Sequence, residues 1–167
     1  MKQLAMWRCI QCGECCRHLV GQKFGMAITP REKQRLEILA RRRGVNIHIL
    51  PLTWAGKVTL YQFADKVCPF LDRNTNRCTI YPYRPLVCRM YPVHPYGVSD
   101  CTMLDRLQRR GFQIVFPPDV EAAGKKYAAT IIPLIRSAVK RYSLNRGWET
   151  PYPLHFKHRL TYGRVVA

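Results

Sequence analysis

The sequence predicts an α+β fold. A small, loop-rich cysteine-cluster module with short strands and helices occupies residues 1–101. A helical and extended basic region follows over residues 102–167. Three observations lead there. All eight cysteines fall between Cys9 and Cys101. Helical and strand periodicities alternate in short pieces around them. Residues 101–167 then carry 12 Lys and Arg against 4 Asp and Glu.

The elements follow in order. Thr29-Pro30-Arg31-Glu32 reads as a helix start, with Thr29 as cap, Pro30 at the first helical position and Glu32 completing a capping box. Leu36, Leu39 and Ala40 form its apolar face. Gly44 ends it in a left-handed cap, and Arg41, Arg42 and Arg43 sit in the last turn, where cations suit the dipole. Val45 to Leu50 alternates as a short strand. Lys57 to Phe63 is a second strand, with Gly56 as its turn. Asn74-Thr75-Asn76 forms a hairpin-like turn that brings Cys68 and Cys78 near one another. Asp100 caps a helix through Arg110, stopped by Gly111. Asp119 caps a longer helix to about Tyr142, with Val120, Ala123, Tyr127, Ile131, Leu134, Ile135 and Ala138 on its apolar side and a kink at Pro133. From Ser143 the chain is Pro-broken, aromatic and basic, and is expected to be extended.

The formal net charge is +18 over 167 residues, and Arg outnumbers Lys by 19 to 9. An apolar share of 47% excludes a disordered basic tail. The longest apolar run, Ala128 to Ile135, contains Thr130 and Pro133, so no membrane-spanning helix is expected. Met1 to Cys9 has no apolar signal core, which makes a cytoplasmic chain the default. A thermophile-like surface balances Arg with Glu, but here the acids are missing. The charge therefore points to a polyanion. No nucleotide loop, hydrolase elbow or spaced carboxylate pair signals an enzyme.

The strongest motif is Cys9-Ile10-Gln11-Cys12-Gly13-Glu14-Cys15-Cys16. Two-residue spacers let successive thiolates turn toward one centre, and Gly13 permits the tight backbone between them. Cys-x2-Cys-x2-Cys with a remote fourth cysteine is the spacing of a 4Fe–4S loop, and Cys68 is followed by Pro69 as such a remote ligand often is. Zinc also accepts two-residue spacers. Cys15 and Cys16 are adjacent, and neighbouring side chains diverge, most of all in extended backbone, so one ligand each to two centres is the easier arrangement. The eight cysteines Cys9, Cys12, Cys15, Cys16, Cys68, Cys78, Cys88 and Cys101 then form two four-thiolate sites, or one site plus structural thiols. The second set draws on Cys16, Cys78, Cys88 and Cys101. Disulfides and buried free thiols are the competing roles. His18 and His94 lie nearest the cysteines and are expected to have surface or packing roles.

Cys9 to Cys16, Cys68-Pro69-Phe70-Leu71 and the run from Cys78 through Ile80-Tyr81-Pro82-Tyr83-Arg84-Pro85 to Cys88-Arg89 resemble the CxxCxxCC cysteine-cluster family, a zinc- or iron-chelating domain. The resemblance covers about residues 9–93. It implies that Cys9, Cys12, Cys15, Cys16, Cys68, Cys78 and Cys88 are metal ligands, and implies little about activity. Related clusters occur in lysine methylases of flagellin, but no Gly-rich methyl-donor loop is present here. Pro82 and Pro85 stiffen the chain before Cys88. Arg84 and Arg89 flank that cysteine, where cations favour thiolate, and phosphate contact is their rival role.

The tail from Asn145 to Arg164 mixes cations with aromatic rings. Such mixing suits RNA, whose phosphates take the cations and whose unpaired bases stack on rings. Arg41, Arg42, Arg43, Lys125, Lys126, Lys140, Arg141, Arg146, Lys157, Arg159 and Arg164 are the candidate contacts, with Arg136, His155 and His158 adding to the same surface. The sequence thus leads to a metal- or iron–sulfur-binding protein whose partner is structured RNA, with the ribosome as the nearest example. The alternative is an iron–sulfur electron-transfer protein that docks an acidic protein partner.

Overall fold

The computed structural model describes residues 3–17, 27–54, 57–94, 97–98 and 101–146. In chain order the elements are β1 (Leu4–Met6), α1 (Glu14–Arg17), α2 (Pro30–Arg43), β2 (Ile49–Trp54), β3 (Lys57–Phe63), a 3-10 turn (Tyr81–Tyr83), α3 (Leu86–Met90), β4 (Val93–His94), β5 (Gly97–Val98), α4 (Thr102–Arg109), β6 (Gln113–Val115) and α5 (Pro118–Arg146). This is the expected α+β mixture, built from two-stranded pieces rather than one large sheet. Among the described residues no helix is long and apolar enough to cross a membrane.

Helix α2 begins and ends where its sequence signals stand. Thr29 Oγ1 accepts the Glu32 N–H at 3.2 Å, and Glu32 Oε2 accepts the Thr29 N–H at 3.0 Å. Gly44 closes the helix at φ 63°, a left-handed conformation that costs glycine little. Leu36 and Ala40 are buried and Leu39 packs beside them. The following strand is displaced from its expected position: residues 49–54, not 45–50, pair with β3. The chain leaving the helix is still bound to it, with the Val45 N–H donating to Ala40 O at 3.0 Å. Pro51 lies inside β2 opposite Tyr61. That position is tolerated because β2 is an edge, while the far side of β3 is occupied by Ile28 in an isolated antiparallel bridge. β3 has its expected bounds. Gly56 lies outside the described residues.

Leu71 and Cys78 form an antiparallel bridge across the 72–77 turn. Asp72 organises that turn: its carboxylate accepts the Asn74 N–H at 2.9 Å and the Thr75 hydroxyl at 2.7 Å. The Thr75 bond and the Asn74 N–H hold the Asp72 carboxyl below the usual carboxylate range. Helix α4 has Cys101 at its cap position, with no side-chain capping bond. The expected cap, Asp100, lies outside the described residues. Gly111 follows that helix at φ 77°.

Helix α5 starts at Pro118, so Asp119 stands in the first turn rather than at the cap. The helix runs to Arg146, so residues 143–146 are helical and not extended. Val120, Ala123, Tyr127 and Ile131 are buried as expected, but Leu134 is 37% exposed. Ile135 and Ala138 have side chains outside the described residues. Residues 147–167 also lie outside the description.

Two apolar clusters form the core. The larger joins Leu36, Leu60, Phe70, Ile80 and Met90 with Ala123, Tyr127 and Ile131 of α5. The smaller joins Trp7, Cys101, Leu104, Leu107, Ile114, Phe116 and Val120. Strands β1 and β6 had no sequence signal. They pair in parallel, Ala5 opposite Ile114, and carry Trp7 into the smaller cluster.

Glu32 has a second task. Its Oε1 accepts the Leu86 N–H at 2.7 Å, at the start of α3. One carboxylate therefore caps α2 and fixes the helix that carries Cys88. Replacing Glu32 with Ala removes the side-chain half of the capping box, the acceptor of the Thr29 N–H, and leaves the Leu86 N–H without this acceptor. A loss of about 1–3 kcal/mol in urea unfolding is expected. Glu32→Gln, which keeps an acceptor oxygen, should retain part of that stability.

Candidate metal centre

Four stretches of chain converge on one cavity. All eight cysteines line it: Cys9, Cys12, Cys15 and Cys16 from the N-terminal loop, Cys68 and Cys78 from either side of the 72–77 turn, Cys88 from α3 and Cys101 from the start of α4. All eight are free thiols. The cavity measures about 60 Å³. Clefts for organic ligands hold roughly 300–1,000 Å³, so this one suits a metal centre rather than a nucleotide or flavin.

The local backbone explains the convergence. Gln11 and Gly13 both take positive φ, at 53° and 75°. These two reversals coil the loop so that Cys9, Cys12 and Cys15 face inward. The Gln11 N–H lies 3.4 Å from Cys9 Sγ, a donor toward sulfur. Gly13 is packed tightly: a Cβ there would stand 2.8 Å from Asn76 O and 2.9 Å from Leu71 Cδ1. Arg17 at the end of α1 donates to the Asn76 side chain. The Cys68 N–H donates to Cys16 O at 2.6 Å. The loop is thereby fastened to the turn between Cys68 and Cys78.

Cys15 and Cys16 do not diverge. Residues 14–17 form a helical turn, and the two sulfurs are 4.0 Å apart. The expectation of divergence assumed extended backbone. In a helical turn adjacent side chains are about 100° apart, and both reach the same cavity. Among the described residues no group of three or more His, Cys, Asp or Glu side chains is arranged to hold a single ion. The thiols surround the space without closing on one point in it.

The surroundings favour the protonated form of four of these thiols, Cys15, Cys16, Cys78 and Cys88, when no cation is present. The Cys15 thiol is pushed far up, first by its bond with Cys16 and then by burial. At Cys16 the bond with Cys15 favours thiolate, but contact with Cys68 and burial outweigh it, and the thiol is raised. Burial raises Cys78 and, more strongly, Cys88. Metal ligation needs thiolate, so loading releases these protons.

Arg84 is the cation at the cavity wall. It opposes part of the rise at Cys15, Cys78 and Cys88. Its guanidinium carbon is 3.6 Å from the Tyr81 ring centroid, and its Nε donates to Tyr81 O at 2.9 Å. Arg84 thus stands beside the thiols, as its position near Cys88 in the sequence suggests. Arg89, its expected companion, is exposed and does not line the cavity.

Trp7 carries no motif that sequence reasoning could have used. Its ring lines the cavity and is 3% exposed, wedged against Phe116 at 5.9 Å between centroids. Its indole nitrogen is buried, with no hydrogen-bond partner among the described residues. A buried N–H without an acceptor costs stability, and thiolate or sulfide sulfur is the acceptor this position lacks. The donor set of eight soft thiols, the orphaned N–H and the compact cavity fit zinc or iron. Eight thiols against one lining carboxylate, Glu14, favour such an ion over a hard cation that prefers oxygen ligands.

The basic candidates are dispersed. Arg41, Arg42 and Arg43 are exposed at the end of α2, and Lys125 and Lys126 are exposed on α5. Helix α5 spans Lys140, Arg141 and Arg146, but their side chains lie outside the described residues. Lys157, Arg159, Arg164, His155 and His158 lie outside them entirely, as does His18. The side chain of His94 is likewise outside the description.

Two substitutions test the centre. Gly13→Ala should cost at least the ~1–2 kcal/mol of a left-handed non-glycine residue and displace the 76 carbonyl. The expected readouts are a lower urea midpoint and less metal retained through gel filtration. Trp7→Phe keeps the packed ring and removes the N–H. The iron- or cobalt-loaded variant should fold, with its sulfur-to-metal charge-transfer bands shifted from the parent spectrum.

No curated protein and no solved structure matches the chain. A family match covers residues 8–112, more than half of the chain and every one of the eight cysteines. That stretch corresponds to the cavity just described, from the start of the cysteine loop through α4. The chain belongs to the CxxCxxCC family, described as "putative zinc- or iron-chelating domain".

Proposed function

We propose that this protein is a metal-fastened RNA-binding protein, in which the thiol cavity holds a structural centre and the basic surface takes structured RNA such as ribosomal RNA. The observation that carries the first half is the convergence of all eight cysteines on one small cavity. Cys9, Cys12, Cys15 and Cys68 have the loop-plus-remote-cysteine spacing of a 4Fe–4S site, and Cys16, Cys78, Cys88 and Cys101 supply thiols for a second centre or for support. Bound metal supplies folding energy to the Cys9–Cys16 loop, in which only Gly13 is buried.

The second half rests on charge. Lys and Arg exceed Asp and Glu by 28 to 10, and no charged side chain is buried among the described residues. Most of the described cations are exposed, where phosphates can reach them. A protein that neutralises several phosphates loses affinity steeply as salt rises.

The test is anaerobic purification with metal, sulfide and nucleic-acid analysis, followed by affinity for ribosomal RNA at about 50 and about 200 mM salt. Iron and sulfide in equal amounts support the cluster, whereas zinc alone replaces it. RNA affinity is expected to fall at least tenfold across that salt range, and a flat response overturns the RNA reading. Reversible reduction of a cluster with no RNA affinity supports electron transfer instead. Removing the metal with a chelator should lower the unfolding temperature.

A further inference from the structure

A second concavity lies on the outer side of α2. Arg31, Arg35, Ile38 and Arg42 are spaced by four, three and four residues and fall on one helical face. The buried face, Leu36 and Ala40, is opposite. Gln34, Leu39, Arg43 and Tyr83 also line the groove, which measures about 730 Å³, and none of its described lining residues is acidic. That volume lies within the ~300–1,000 Å³ range of ligand clefts.

Tyr83 is 53% exposed. It is nevertheless held in place, because it sits in the 3-10 turn between Tyr81 and Arg84, which line the thiol cavity. The Tyr83 N–H donates to Ile80 O at 2.7 Å. Arg35 Nη2 donates to Arg84 O at 3.4 Å, which leaves the other donors of its fork free to face outward. The groove is thus a row of guanidinium forks ending at a fixed, exposed aromatic ring. A duplex offers such a row its phosphates but gives the ring nothing to stack on. An unpaired strand offers both.

Resting on the RNA reading above, we infer that the α2 groove binds single-stranded RNA, with Arg31, Arg35 and Arg42 on successive phosphates and one base stacked on Tyr83. Of these arginines, only Arg42 was foreseen as a contact. Arg31 and Arg35 were not, because their role depends on Tyr83 arriving from a distant part of the chain.

The test is fluorescence anisotropy of a labelled oligouridylate with the metal-loaded chain, set beside ribosomal RNA and phosphatidylserine vesicles. The Arg35→Gln, Arg42→Gln double variant should bind the oligonucleotide at least tenfold more weakly. Its slope of log affinity against log salt should fall by about 1.4. Tyr83→Ala should lose about tenfold, while Tyr83→Phe keeps the affinity. Arg106→Gln, Arg109→Gln on α4 is the control and should lose less than threefold. Equal losses in the groove and control variants overturn the groove while the RNA reading stands, as does binding of ribosomal RNA without the oligonucleotide. Failure of the parent chain to bind either RNA overturns both, and binding of the vesicles alone overturns the groove's assignment to RNA.

Discussion

The structure depends on keeping the Cys9–Cys16 loop closed over the turn that joins Cys68 to Cys78. Apolar burial does not do this. Helix α1 has no buried residue, and between Arg8 and Arg17 only Gly13 is buried. The closure shows a few backbone bonds, such as Cys68 N–H to Cys16 O, each worth about 1 kcal/mol net. Thiolate–metal bonds operate on another scale: structural zinc contributes roughly 10–16 kcal/mol in small zinc-finger peptides at neutral pH. The magnitudes place the stability of this loop in the centre it surrounds. Within the loop, Gln11 and Gly13 turn the backbone and Gly13 makes room for Asn76.

Around that centre, a small number of contacts fix the rest. Glu32 ties the start of α2 to the start of α3, and α3 packs on α5. The segment from Tyr81 to Arg84 runs between the two concavities. Tyr81 and Arg84 face the thiols, while Tyr83 faces the α2 groove. Three consecutive helical-type residues project in different directions, so a short 3-10 turn can present rings to both sides. The prolines at 82 and 85 restrict this stretch before any tertiary contact forms. The wall between the sites is therefore stiff, and each concavity is shaped partly by what holds the other.

Legibility in the sequence followed the range of the interactions. Helix α2 was readable from end to end because Thr29, Pro30, Glu32 and Gly44 act within a few residues of themselves. The coiling of the Cys9–Cys16 loop was readable because two-residue spacing acts locally. Strand β2 was misplaced because Pro51 argues against a strand unless that strand is an edge, and edges are decided by neighbours elsewhere. The pairing of Leu4–Met6 with Gln113–Val115 joins residues over a hundred positions apart, and three residues carry no usable period. Trp7 was unreadable for the same reason. Its N–H is orphaned only because β1 delivers it against the cysteines. The divergence expected of Cys15 and Cys16 failed through one assumption about backbone conformation, not through the chemistry of the thiols.

The charge balance gains meaning from this arrangement. A four-thiolate site with Zn2+ or an oxidised 4Fe–4S core carries about −2, so two such sites bring the formal +18 only to roughly +14. The excess is not there to neutralise the centre. Of the arginines in the described chain, Arg84 alone lines the thiol cavity, and it is also stacked on Tyr81. Four others line a separate groove that contains no acid. A surface arranged only for solubility would gain from acids interspersed among these cations, since alternating signs avoid self-repulsion. Four guanidinium groups lining one groove repel one another, and an anion lying between them would relieve that repulsion.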